Sequence, residues 1–170
     1  MDGCGGDGSI ERVPGEAAYR CVTLDSDHLR RQRMYHFVSK GALNIDGVGP
    51  RNIDMFLDHG LINDVADLYS LKAGDIQDLP SFKEKSAENA VAAIEASRTQ
   101  PLYRFLIALS IDHVGEETAV LLASHFGSLK HILNASQAEL AAVHGIGDTV
   151  AESIVPVSYT HLTLPTIYSV

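Results

Sequence analysis

Gly47-Val48-Gly49 recurs in altered form as Ser81-Phe82-Lys83, His113-Val114-Gly115 and Gly145-Ile146-Gly147, with centres 34, 32 and 32 residues apart. Around each triplet the same apolar columns return. One residue lies two before it (Ile45, Leu79, Ile111, Val143), another four after it (Ile53, Ala87, Ala119, Ala151) and a third at Phe56, Ala90, Leu122 and Ile154. The middle position is always Val, Phe or Ile. This spacing predicts a helix, a tight hairpin with an apolar tip tucked inward, and a second helix, repeated four times.

The repeat is the helix-hairpin-helix pattern, and its glycines suggest its chemistry. Glycine at both ends of a Gly-apolar-Gly hairpin permits positive φ and leaves no side chain in front of the backbone. The N–H groups opening the second helix then face a ligand, and a helix N-terminus attracts phosphate oxygen. Two hairpins side by side can hold two backbones of a duplex without reading sequence. A side chain at Gly49 or Gly147 is therefore expected both to strain a positive-φ backbone and to obstruct the approach. One isolated Gly-Val-Gly would more often be a plain turn between packed helices, but four copies in register reverse that judgement.

The copies differ. Copies one and four keep both glycines (Gly47 and Gly49, Gly145 and Gly147), and Arg51 adds a cation to the first. Copy three has His113 for the first glycine and Glu116-Glu117 after Gly115; the acids compete with a phosphate, although Gly115 still has an N–H to donate. Copy two has no glycine, only Lys83 and Lys85, and reads as a spacer that completes the core. The candidate DNA contacts are thus Gly47, Gly49, Arg51, Lys83, Lys85, Gly115, Gly145 and Gly147.

Net charge is −9 over 170 residues, against the basic footprint of most nucleic-acid binders. Its distribution matters more than its sum. Residues 27–51 hold Arg30, Arg31, Arg33, Lys40 and Arg51 against Asp27 and Asp46, a local +3, while residues 52–155 hold six basic and fifteen acidic side chains. Backbone recognition by an acidic body predicts weak binding and a module that assists a larger DNA-bound assembly. No apolar stretch reaches the roughly 18 residues of a membrane span, and the N-terminus is Gly-rich and acidic, so the reading is a cytoplasmic protein with no membrane partner. Two cysteines, Cys4 and Cys21, argue against a secreted disulfide scaffold.

The N-terminal segment reads as half of a Cys4 zinc module, in which Cys4-Gly5 and Tyr19-Arg20-Cys21 bracket a short β-hairpin at about 9–22. With Glu16-Ala17-Ala18-Tyr19-Arg20-Cys21, the run from Tyr35 to Gly49, Ala66-Asp67-Leu68-Tyr69, Lys85-Ser86-Ala87-Glu88-Asn89, the run from Leu109 to Ala119 and Gly145-Ile146-Gly147, residues 1–155 resemble the bacterial NAD-dependent DNA ligases. The resemblance implies a degenerate zinc-finger segment over 1–28 and a four-unit helix-hairpin-helix DNA-binding domain over 29–155. It implies nick sealing in replication and repair by a parent protein that uses NAD and magnesium, with adenylation and OB-fold domains as partners and nicked duplex DNA as substrate. The family's active-site lysine opens a Lys-x-Asp-Gly motif. None of Lys40, Lys72, Lys83, Lys85 and Lys130 does so, so this chain alone is expected to be inactive, with no catalytic residue. Zinc ligands would fall at positions 1, 4, 21 and 26, where Met1, Cys4, Cys21 and Ser26 stand; His28 as a substitute would still leave the site one short, so well under one zinc per chain is expected.

Two alternatives stay open from the residues themselves: a free-standing helix-hairpin-helix protein of a repair or recombination complex, and an acidic helical protein-interaction module. Residues 156–170 carry no Asp, Glu, Lys or Arg, and Val157 to Pro165 resembles translated sequencing-adaptor sequence. They are set apart as a non-native-looking or disordered tail. The fold class is mainly α, with a helix near 29–40, Ala-rich helices at 84–97 and 116–126 and a capping box from Ser136 to Glu139, preceded by a small degenerate zinc-ribbon-like β-hairpin.

Overall fold

The apolar columns become the core. The computed structural model describes residues 10–12, 19–21 and 27–160, and all twelve column residues are buried, none more than 8% exposed. Burying a Leu, Ile or Phe side chain contributes about 1.5–3 kcal/mol. Two strands, β1 (Ile10–Arg12) and β2 (Tyr19–Cys21), pair antiparallel with Glu11 opposite Arg20. Nine helices follow among the described residues: α1 (Asp27–Val38), α2 (Pro50–Asp58), α3 (Ala73–Ile76), α4 (Glu84–Ser97), α5 (Leu102–Ala108), α6 (Glu116–Phe126), α7 (Leu129–Asn134), α8 (Gln137–Ala141) and α9 (Asp148–Thr160). A 3₁₀ turn, Asp67–Ser70, precedes α3.

Each triplet makes the same two backbone hydrogen bonds. The tip residue donates its N–H to the carbonyl three residues earlier: Val48 to Ile45, Phe82 to Leu79, Val114 to Ile111 and Ile146 to Val143, at 2.9–3.2 Å. The last residue of each triplet then opens a helix by accepting from the residue four later. Ile53, Ala87, Ala119 and Ala151 donate to Gly49, Lys83, Gly115 and Gly147 at 2.9–3.0 Å. Thus α2, α4, α6 and α9 each start at a triplet.

Aromatic and polar contacts join the repeats. Phe56 of α2 stacks on the tip of the second hairpin, Phe82, with ring centroids 5.7 Å apart. Further along, α1 meets α5 through Phe37 against Phe105, while the His36 ring bonds the Ile107 carbonyl at 2.9 Å. Arg104 donates to the Ala42 carbonyl at 2.9 Å, which ties α5 to the loop leading into the first hairpin. Ser97, the one buried polar residue described, exchanges a hydrogen bond with Tyr69 at 2.8 Å, and Arg98 lies over that ring.

Helices α4 and α6 occupy 84–97 and 116–126 as their spacing predicts, and α1 starts two residues before the expected 29. The Ser136–Glu139 box is formed, with the Ser136 N–H donating to the Glu139 carboxylate at 2.8 Å and Glu139 N–H to Ser136 Oγ at 3.3 Å. Those bonds hold the Glu139 carboxyl below its ordinary range. At the other end α9 overruns the expected boundary at 155 and carries on through position 156 to Thr160.

Candidate nucleic-acid interface

The glycines of the hairpins do two different things. Gly47 and Gly145, the first of each triplet, lie in the left-handed region at φ +74° and +91°. Gly49 and Gly115, the last, are extended at φ −105° and −86°, and Gly147 is not among the positive-φ glycines. The expectation that a side chain at Gly49 or Gly147 strains the backbone is therefore corrected: strain belongs only to the first position. What the last position needs is space, since a Cβ built at Gly49, Gly115 or Gly147 meets nothing within 4 Å. Behind that open space, backbone donors stand ready. The N–H groups of Gly49, Arg51, Gly115, Glu116, Gly147 and Thr149 have no acceptor among the described residues.

The third hairpin keeps the same backbone with the wrong residue. His113 sits at φ +64°, in the position of Gly47 and Gly145, and Ser110 at +52° repeats Asn44 at +50° three residues earlier. A non-glycine in that region costs roughly 1–3 kcal/mol, against the roughly 0.5–1 kcal/mol of extra chain entropy that glycine brings to the unfolded state. His113→Gly is therefore expected to raise stability by about 0.5–1 kcal/mol, seen as a higher urea midpoint at unchanged slope. A lower midpoint would show that the imidazole makes a contact of its own.

In the second hairpin the donor is already used. Lys83 N–H bonds Ser86 Oγ at 2.8 Å, and the backbone at Ser81 is not left-handed, so this copy caps its own helix. Lys83 and Lys85 are exposed at the helix start and can act only through side-chain charge. Acidic residues follow the turn in three copies: Glu84, Glu116 with Glu117, and Asp148, the last of which makes the fourth hairpin less favourable to anions than its two glycines suggest. Of the four helices that open at a triplet, α2 alone has no acid in its first turn, and Arg51 stands there exposed, with no ion pair among the described residues. Hairpins three and four come together, since a Cβ at Gly145 would lie 3.0 Å from Leu121 of α6.

Two of the five cations behind the local +3 of residues 27–51 are held in ion pairs, while Arg33, Lys40 and Arg51 are exposed with no ion pair among the described residues. Arg31 Nε holds Asp27 at 2.8 Å, Nη1 holds Asp54 at 2.7 Å and Nη2 holds Asp58 at 2.8 Å, while Arg30 pairs with Asp27. The hydrogen bonds from Arg31 and then Arg30 keep the Asp27 carboxyl below its ordinary range. Sequence counting missed this network because two of its acids lie 23 and 27 residues away. Two of the histidines bond backbone, His59 to the Met55 carbonyl and His131 to that of Phe126, each at 2.9 Å.

All five lysines are exposed. Among the described residues no group of three His, Cys, Asp or Glu is placed to hold a metal, and no helix is long and apolar enough to cross a membrane. Cys4, Met1 and Ser26 lie outside the described residues, and Cys21 is the last residue of β2.

Residues 40–96 match the family model of the SAM-like helix-hairpin-helix tandem, and residues 104–160 that of the helix-hairpin-helix motif, so each match holds two of the four turns. The chain is 48% identical over 153 residues to a DNA ligase of Halothermothrix orenii, 43% over 151 to one of Geotalea uraniireducens and 44% over 153 to one of Symbiobacterium thermophilum. Each alignment covers 89% of this chain and 22% of the relative, so the chain spans about a fifth of the length of the curated proteins it matches. A mainly helical chain with helix-hairpin-helix turns along both matched stretches, it fits a fragment of a DNA ligase.

Proposed function

We propose that this chain is the DNA-binding portion of a ligase that seals nicks, with four helix-hairpin-helix units, of which hairpins one, three and four grip phosphate through backbone N–H groups. The observation that carries the reading is the repeated turn that leaves N–H donors without an acceptor behind glycines whose missing side chains leave open space. Nothing in that geometry reads a base edge, so the grip is sequence-independent. The N–H contacts are Gly49, Arg51, Gly115 and Gly147, while Gly47, whose N–H bonds Asp46, and Gly145 shape the turns that present them; Lys83 and Lys85 add charge. The substrate is nicked duplex DNA in replication and repair, in the cytoplasm, and the partners are the adenylation and OB-fold domains of the same protein.

The chemistry of sealing belongs to those partners. NAD and magnesium serve them, and no lysine here opens a Lys-x-Asp-Gly motif. Incubated with NAD labelled in its adenylate, the purified chain is expected to acquire no label; a stable lysine adenylate would overturn this division of labour. Cys4 and Cys21 supply two thiolates where a closed zinc site needs four ligands, so the donor set does not fit the metal and the N-terminal segment is proposed as a zinc-ribbon that has lost it.

The binding reading is tested by fluorescence anisotropy on nicked duplexes of two unrelated sequences. Equal affinities are expected. Arg51→Ala is expected to weaken both alike and to lower the slope of log affinity against log salt by about 0.9, one released counterion. A Ser81 variant is expected to bind as the parent does. An unchanged slope in Arg51→Ala would remove Arg51 from the interface.

A further inference from the structure

Arg51 has no ion pair among the described residues, although an acid stands near it along the same helix. Asp54 follows it by three residues on α2, a spacing at which side chains on one helix face meet and Arg–Asp pairs form. That pair is absent here. Asp54 instead accepts from Arg31 Nη1 at 2.7 Å and from the Tyr35 hydroxyl, both on α1. The rest of the Arg31 fork is held in place by Asp27 and Asp58, each at 2.8 Å. Arg31 is about a quarter exposed, its three acids are 41–61% exposed, and Arg51 stands in solvent. A guanidinium bound to three carboxylates also rises above its ordinary pKa, so the fork stays charged.

We propose that Arg31, assisted by Tyr35, is a positioning residue for the phosphate grip: by holding Asp54 against α1 it prevents Asp54 from capturing Arg51, and so keeps Arg51 available to the DNA backbone. The inference rests on the reading of the first hairpin as a phosphate site. Asp54 is the switchable partner. Once released from Arg31, it would offer Arg51 a permanent intramolecular anion in competition with the phosphate.

The test is a set of variants of this chain, each checked by circular dichroism and thermal unfolding: Arg31→Met, Asp54→Asn and the double variant. Arg31→Met is expected to weaken binding to nicked duplex by about 1.5- to 2-fold, the scale of one helix-surface pair. The double variant is expected to regain the parent affinity, because no carboxylate remains to capture Arg51. A purely structural role for Arg31 would leave the loss unrescued, and that result overturns the proposal. A second readout needs no DNA: the Arg51 side-chain Nε–Hε resonance should move in Arg31→Met and return in the double variant, and a resonance that stays put in folded Arg31→Met also overturns the proposal. If the resonance moves and returns while affinity is constant throughout, the phosphate reading of the first hairpin is what fails, and the role of Arg31 in it fails too. Should Arg31→Met not fold, Arg31→Lys keeps the charge without the three-way fork and is expected to shift both readouts in the same direction by less.

Discussion

Phe56→Ala is expected to destabilise the protein by about 3–5 kcal/mol, the cost of deleting a large buried aromatic side chain and leaving a cavity. Phe56 is fully buried and stacks on Phe82, so one residue of α2 supports the tip of the next hairpin. A typical domain has only about 5–15 kcal/mol in total, so this change takes a large share of it. Urea unfolding followed by circular dichroism measures it. A loss under about 1.5 kcal/mol would mean that neighbouring side chains close the cavity, and that Phe82 does not depend on its partner.

The second large effect falls on binding and leaves folding alone. At Gly147 the backbone is not left-handed and a Cβ meets nothing, so valine fits the fold. It occupies the space through which a phosphate oxygen would reach the N–H groups of Gly147 and Thr149. Gly147→Val is therefore expected to keep the parent's thermal midpoint and weaken duplex binding by about 1–2 kcal/mol, one charge-assisted hydrogen bond lost. Gly145→Val, by contrast, is expected to lose stability, since it forces a β-branched residue to φ +91° with its Cβ 3.0 Å from Leu121. The pair separates a glycine needed for the turn from one needed for the ligand. If Gly147→Val folds normally and binds nicked duplex as tightly as the parent, the fourth hairpin holds no phosphate.

Much of the fold was legible because the repeat is a packing rule. A column such as Ile53, Ala87, Ala119 and Ala151 recurs only if each unit buries the same helix face, and all four are buried. Local signals also survived: Ser136 and Glu139 sit three apart and satisfy each other's backbone donors. What sequence could not separate was the role of two glycines one residue apart. Both look alike on the page, yet Gly47 supplies a left-handed turn and Gly49 an unobstructed helix start. His113 at φ +64° shows that even the first role does not strictly require glycine. Charge was the least legible feature. Arg31 counts toward a basic segment until α2 is packed on α1 and brings it Asp54 and Asp58.

Backbone N–H groups at particular hairpins are proposed to meet the phosphates. Amide resonances of the ¹⁵N-labelled chain, followed while nicked duplex is added, test this most directly, because they report each donor by residue. The largest shifts are expected on Gly49, Arg51, Gly115 and Gly147, with little movement of Lys83, whose N–H is held by Ser86, and the same pattern for duplexes of unrelated sequence. Shifts concentrated elsewhere, with these four amides unmoved at saturating DNA, would contradict it.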